Sequence, residues 1–375
     1  MRAINSAVMK EINRHMILDC IRRRPISRAE LSDETQLTRA SITQIVDSLM
    51  QEGLVMETAT VDRRRPGRRQ TQLALVNDAL CIAGIYCGPR EYELGIINLH
   101  GKVLWSFRRA YEDKGMPELM DDAAQILTEA LENLSPKPMN VYGLGVCLPS
   151  PVEQHHADSL RRPGAARKRN EYLAEEMRSR LGWDVYIGNI NNAYALDELY
   201  FGIGQKGIDN FMILRVDESV GAGFIINRSL FMGARGYSPE IGHITLEREG
   251  PLCKCGNRGC LELYVSPASL LKETPFRSWR EVVDAMDKNL PAKQLFEAEV
   301  ETLAFEIMNL ANVMDLDKVV ITGDLIYGGD RLVESISRFM DEHFVHRMGA
   351  SSVICSRGIN LSRIACMPAY HSIFA

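Results

Sequence analysis

Glu240-Ile241-Gly242-His243 and, ten residues on, Cys253-Lys254-Cys255-Gly256-Asn257-Arg258-Gly259-Cys260-Leu261-Glu262 form the stretch on which the reading of this chain turns. His243, Cys253, Cys255 and Cys260 make a closed tetrahedral donor set for Zn²⁺, with thiolates matched to a borderline-soft metal. The Cys-x-Cys-Gly-x-x-Gly-Cys spacing needs its glycines so that the backbone can fold tightly round an ion. With no position left open for water, the zinc expected here is structural. The bland alternative is three incidental buried cysteines.

The chain has 375 residues, 46% hydrophobic and 25% charged, an ordinary globular balance with room for two or three domains. No stretch approaches the length of apolar sequence that a membrane span requires. The first residues lack the apolar core of a signal peptide. Nine cysteines are an odd number for a closed disulfide set, which favours metal ligation and a reducing, cytoplasmic location. The net charge of −5 hides an asymmetry: residues 1–76 carry 13 Lys and Arg against 9 Asp and Glu. A basic N-terminal module on an acidic chain hints at nucleic-acid binding, although charged faces are commonly just solvated.

That module reads as three helices and a hairpin. Ile12, Met16, Ile17, Cys20 and Ile21 fall on one face of a first helix that ends before Pro25. Ser27-Arg28-Ala29-Glu30 has capping-box spacing and starts a short second helix over 28–34. Thr38 caps a third that runs to about Glu52 and stops at Gly53. Ile42, Ile45, Val46 and Leu49 point inward, leaving Arg39, Ser41, Thr43, Gln44 and Asp47 outward. Arg39, Ser41, Thr43 and Gln44 are the candidates for base-edge contact in a major groove. Two strand-like runs then flank Arg63-Arg64-Arg65-Pro66-Gly67-Arg68-Arg69. Arg63, Arg64, Arg65, Arg68 and Arg69 are candidates for phosphates and a narrow A·T minor groove. The order predicts a winged helix-turn-helix over residues 1–77.

From about residue 78 strands alternate with helices. Strands are predicted at Leu80–Cys87, Tyr92–Asn98, Val141–Cys147, Val185–Ile187, Phe211–Val216, Gly223–Asn227 and Lys318–Thr322, with a helix over Met116–Leu134. Strand hairpins followed by βα alternation occur twice, which predicts an α/β region of two lobes, residues 78–375.

The cysteine loop, together with Gly233-Ala234-Arg235-Gly236-Tyr237, resembles the ROK family of repressors, open reading frames and sugar kinases. The N-terminal winged helix makes the chain similar to the transcriptional regulators of that family. The resemblance runs over nearly the whole chain and is weakest between Glu153 and Trp183, around the basic run Arg161–Arg169. It implies the two-lobed, actin-like ATPase (sugar-kinase) fold with a zinc loop. It also implies that Asn189, Glu240, His243 and Glu262 hydrogen-bond sugar hydroxyls, with the metal fixing the loop that aims the carboxylates. A buried ion pair or a helix cap is the alternative use of Glu240 and Glu262. Pro239 stands where the family usually has Gly.

Against the kinase pattern of the family, three positions depart. Gly188-Asn189-Ile190-Asn191-Asn192 matches a motif resembling Glu-Asn-Asp-x-Asn, so Ile190 stands where the catalytic base would be, and an alkyl group accepts no proton. Tyr86-Cys87-Gly88-Pro89-Arg90 matches the first phosphate loop with Tyr for Asp and Pro for the second Gly. Ile321-Thr322-Gly323-Asp324 puts an acid where the adenosine-side turn would lie, while Ser219-Val220-Gly221-Ala222-Gly223 keeps the glycines of the second phosphate loop. The expectation is therefore a non-enzymatic, DNA-binding regulator of carbohydrate-metabolism genes, a repressor. It would bind a double-stranded, A·T-rich palindromic operator as a homo-oligomer, dimer or tetramer, and sense a sugar or phosphosugar. The rivals are an active ATP-dependent sugar kinase and a regulator with a vestigial cleft controlled by a protein partner.

Overall fold

Caps and apolar spacing set the first helices. Helix α1 (Ser6–Arg23) buries Ile17, Leu18 and Ile21, whereas Ile12, on the same predicted face, is 45% exposed. Strand β1 (Ile26–Ser27) leads into α2 (Arg28–Thr35). At their junction the Ser27 hydroxyl accepts the Glu30 N–H at 3.3 Å and the Ser27 N–H donates to the Glu30 carboxylate at 3.0 Å. Thr38 Oγ1 accepts the Ser41 N–H at 3.2 Å and starts α3 (Arg39–Gln51), whose Ile42, Ile45, Val46 and Leu49 are buried as the spacing requires. Strands β2 (Val55–Val61) and β3 (Gln70–Leu75) follow, and the three strands form an antiparallel sheet in the order β1-β3-β2.

The computed structural model describes residues 6–61, 70–89, 91–111, 115–135, 138, 140–149, 165–233, 239–343 and 352–375. The chain divides into two compact units: Met1–Leu148 with Asn170–Gly188 and Leu361–Ala375, and Pro149–Arg169 with Asn189–Asn360. After the N-terminal helices the first unit continues with β4 (Leu80–Cys87), β5 (Glu91–Asn98), β6 (Val103–Ala110), α4 (Met116–Asn133), β7 (Asn140–Leu148), α5 (Ala165–Leu181) and β8 (Asp184–Asn189). Its sheet runs β6-β5-β4-β7-β8, and Leu94, Leu127, Val146 and Met177 meet in its core.

The second unit holds α6 (Ile190–Phe201), β9 (Phe211–Val216), β10 (Val220–Ile226), β11 (Ser229–Phe231), α7 (Glu262–Val265), α8 (Pro267–Leu270), α9 (Trp279–Ala285), α10 (Leu290–Met314), β12 (Lys318–Gly323), α11 (Gly329–His343) and β13 (Val353–Cys355). Its sheet runs β11-β10-β9-β12-β13. The last helix, α12 (Leu361–Phe374), belongs to the first unit.

Both sheets therefore have the same order, third-second-first-fourth-fifth. In each, the first strand pairs antiparallel with the second and parallel with the fourth. The pattern seen twice in the sequence is a duplicated topology. Among the described residues no helix is long and apolar enough to cross a membrane.

Candidate nucleic-acid interface and ligand site

On the exposed face of α3, Arg39, Thr43 and Gln44 stand in solvent, whereas Ser41 is half-buried. The Ser41 hydroxyl lies 2.9 Å from the Thr38 hydroxyl, and Thr43 Oγ1 donates to the Arg39 carbonyl at 2.9 Å. Two of the four candidate base readers thus have hydroxyls engaged within the helix, and Arg39 and Gln44 are the longer, outward groups. Asp47, one turn on, pairs with Arg28 of α2 at 2.9 Å. Arg63, Arg64, Arg65, Arg68 and Arg69 lie outside the described residues, as do Ala234–Tyr237 and the side chains of the basic run at Arg161–Arg169.

His243 closes a single 3₁₀ turn, Ile241–His243, and the cysteines follow on a loop pinned by two isolated bridges, Thr245 with Cys260 and Leu252 with Arg258. The Cys253 N–H donates to the Asn257 carbonyl at 2.8 Å, and the Gly256 N–H returns to Cys253 at 2.9 Å. Gly256 and Gly259 have φ of +92° and +62°, and a Cβ at Gly259 would overlap the Glu247 carbonyl, which is why this loop needs glycine there. The fold brings one donor atom from each of His243, Cys253, Cys255 and Cys260 within 4.8 Å of one another, a set that can hold a metal ion. His243 Nδ1 faces Cys253 Sγ at 3.7 Å, and Cys255 Sγ faces Cys260 Sγ at 3.7 Å. Burial and the neighbouring sulfurs push the Cys260 thiol up to about 12. A divalent cation at the centre reverses that preference, since it stabilises the thiolates that crowd each other.

Beside this cluster the structure groups three of the four residues expected to meet a sugar. Glu262, 6% exposed at the start of α7, accepts the Val220 N–H at 3.2 Å and pairs with Lys254 Nζ at 3.1 Å. Gly242, between Glu240 and His243, lies directly on the Val220 carbonyl. The buried-ion-pair alternative for Glu262 is thus realised in part, and Lys254 is a residue the sequence reading did not single out. Its sequence signal is a cation set between two candidate ligand cysteines. Asn189 caps α6, its side-chain Oδ1 accepting the Asn191 N–H at 2.7 Å.

The positions that match the kinase motifs are placed as follows. Ile190 is 2% exposed in the first turn of α6. The Gly88 N–H donates to the Glu91 carbonyl at 2.9 Å. Of the run Ser219–Gly223, the strand takes up Val220 onward, and α6 packs on Gly221 and Gly223 through Asn191 and Ala195, where a Cβ would overlap it. From the end of β9, Arg215 donates to Asn191 Oδ1 at 2.8 Å and to Ser219 Oγ at 3.2 Å, and pairs with Asp217 in the turn before β10.

A helix-turn-helix head and two sheets of identical strand order define a regulator-like head on a sugar-kinase-type scaffold. A sequence model of the MarR family matches residues 11–65, and one of the ROK family matches residues 82–360. The chain belongs to the ROK family. It is 27% identical over 353 residues to the xylose repressor of Bacillus subtilis strain 168, covering 92% of this chain and 90% of that one. It is 29% identical over 248 residues to the DNA-binding transcriptional dual regulator NagC of Escherichia coli K12, covering 66% of this chain and 60% of that protein. Among solved structures, a ROK family transcriptional regulator homologous to the E. coli MLC protein superposes with a TM-score of 0.79 at 22% identity, over 98% and 97% of the two chains. The ROK hexokinase of Thermus thermophilus superposes at 0.60 and 22%, over 77% of this chain and 97% of its own. Those likenesses establish the actin-like sugar-kinase fold.

Proposed function

We propose that this chain is a sugar-responsive, DNA-binding transcriptional repressor whose kinase-like region senses a ligand and transfers no phosphate. The observation that carries the reading is the pairing of a helix-turn-helix head with a scaffold whose proton-accepting position is a buried alkyl group, Ile190. General-base assistance contributes on the order of 10²–10⁴-fold. The departures at Tyr86 and Pro89 in the first phosphate-loop motif and at Asp324 in the adenosine-side turn support the same reading.

Residues 1–77 form the DNA-binding domain and 78–375 the effector-binding and oligomerisation domain. Arg39 and Gln44 reach base edges, with Ser41 and Thr43 supporting them, while Arg63, Arg64, Arg65, Arg68 and Arg69 meet the minor groove and phosphates of an A·T-rich palindrome. A homo-oligomer supplies two heads to the two half-sites. Asn189, Glu240, His243 and Glu262 hydrogen-bond the hydroxyls of a sugar or phosphosugar. His243, Cys253, Cys255 and Cys260 hold a structural Zn²⁺, which supplies rigidity and no chemistry. With Nδ1 turned to the thiols, the other ring nitrogen of His243 remains for the ligand.

The test is selection of a binding sequence from a random duplex pool, followed by titration of the complex with D-xylose and N-acetylglucosamine, free and phosphorylated. Recovery of a palindrome released by one of these sugars is the expected result. Absence of any selected duplex, or steady ADP release from ATP with any of the sugars, overturns the reading. Release by none of them, with a protein captured on the second unit, would point to the partner-controlled alternative.

A further inference from the structure

Helix α12 runs from the sheet of the first unit to the DNA-binding head, and each of its ends is anchored by a different device. At its base, Gly95, Gly84 and Gly145 are direct partners across β5, β4 and β7 and form a single row of glycines in the sheet. The backbone of Ser362, Ala365 and Cys366 lies on that row so closely that a Cβ on any of the three would overlap it. Cys366 Sγ reaches the Ile82 carbonyl at 3.4 Å, and Tyr370 Oη donates to the Leu99 carbonyl at 2.8 Å. A helix seated backbone-on-backbone cannot slide without breaking these contacts, so α12 moves with the sheet.

At its far end α12 meets α1. The Arg22 guanidinium carbon lies 5.6 Å from the centre of the Phe374 ring, and the side chain of Arg22 is 3% exposed. Asp19 holds the guanidinium from within α1, at 3.0 and 2.7 Å. Tyr370, fully buried, shares the same junction with Arg22. A cation over a ring in a water-excluded contact is directional, and it is the kind of contact that holds one rigid body against another at a set angle. Midway along the helix, Pro368 packs on Gly188, the residue before Asn189.

We propose that α12 is the strut that fixes the angle of the DNA-binding head, with Arg22, Tyr370 and Phe374 as positioning residues of the joint. The seat of Pro368 on Gly188 ties the strut to the strand that carries the candidate ligand residue Asn189. This rests on the two-headed reading above. A head held at one angle presents its partner head to the second half-site at a high effective concentration, and a loosened head does not. The joint therefore matters to a full palindrome and not to a half-site.

The experiment uses the full-length chain and the duplex it selects from a random pool, offered as the whole palindrome and as one half-site. Phe374→Ala and Arg22→Met are expected to weaken full-site binding by about tenfold or more and to leave half-site binding unchanged. Phe374→Tyr, which keeps the ring over Arg22, restores full-site binding. Full-site affinities equal to wild type overturn the joint. Equal losses on both duplexes also overturn it, because the contact then only stabilises the head. A wild-type chain that binds half-site and full site equally well refutes the two-headed reading, and the joint with it.

Discussion

Replacing Arg215 by Met should loosen the turn between β9 and β10 by an amount the geometry sets. The Arg215 side chain is 5% exposed and faces Asp217, which is 23% exposed. It also donates to Asn191 Oδ1 at 2.8 Å, tying the turn to α6. Breaking a buried ion pair by removing one partner costs about 3–5 kcal/mol. Water still reaches the Asp217 carboxylate, so the lower end, about 3 kcal/mol, applies. Asp217→Asn keeps the shape and loses only charge, and should cost about 1–2 kcal/mol. The double variant should recover part of the sum, with a coupling energy of about 1–2 kcal/mol. Native-state hydrogen exchange at the amides of β9 and β10 reads this locally, which avoids assuming that a chain of two units unfolds in one step. Additive losses, with a coupling below about 0.5 kcal/mol, would refute the view that the two side chains close the turn on each other.

On α3, Gln44→Ala should weaken binding to the selected operator by about 1–3 kcal/mol while sparing non-specific DNA. Thr43→Val should change little, because the Thr43 hydroxyl is already bonded to the Arg39 carbonyl; fluorescence anisotropy on both duplexes separates the two. Elemental analysis should find one zinc per chain, and Cys255→Ser should lose it and unravel residues 240–262, since structural zinc supplies on the order of 10 kcal/mol in small domains. A melting profile unchanged on metal loss would contradict this. Glu299 on α10 is 1% exposed with neither carboxylate oxygen bonded, and burial holds its carboxyl well above the usual value. The folded chain keeps a proton that the unfolded chain gives up above about pH 4.5, so this residue lowers stability as pH rises. Glu299→Gln should therefore raise the melting temperature at pH 8 and make little difference near pH 4, as differential scanning fluorimetry would show.

Local chemistry was legible from the residues alone. The Ser27 and Thr38 caps, the inward face of α3 and the His243–Cys260 spacing were all readable because each depends on neighbours a few positions apart. Strand positions such as Leu80–Cys87 and Phe211–Val216 followed from apolar runs for the same reason. The ends of α1 were less legible, since Ile12 fits the helical spacing and yet is 45% exposed.

What only the tertiary structure decided is which partner each of these groups meets. The sequence shows Gly221 and Gly223 as a glycine pair, and only the packed structure shows that α6 lies against both of them. Gly84, Gly95 and Gly145 become one seat for α12 through strand pairings that join distant parts of the chain. Arg215 and Asp217 sit two residues apart, but their closure of the turn depends on Asn191 arriving from α6. Short-range periodicity and caps are written into consecutive residues, whereas close approach and burial are properties of surfaces that exist only once the sheets have formed.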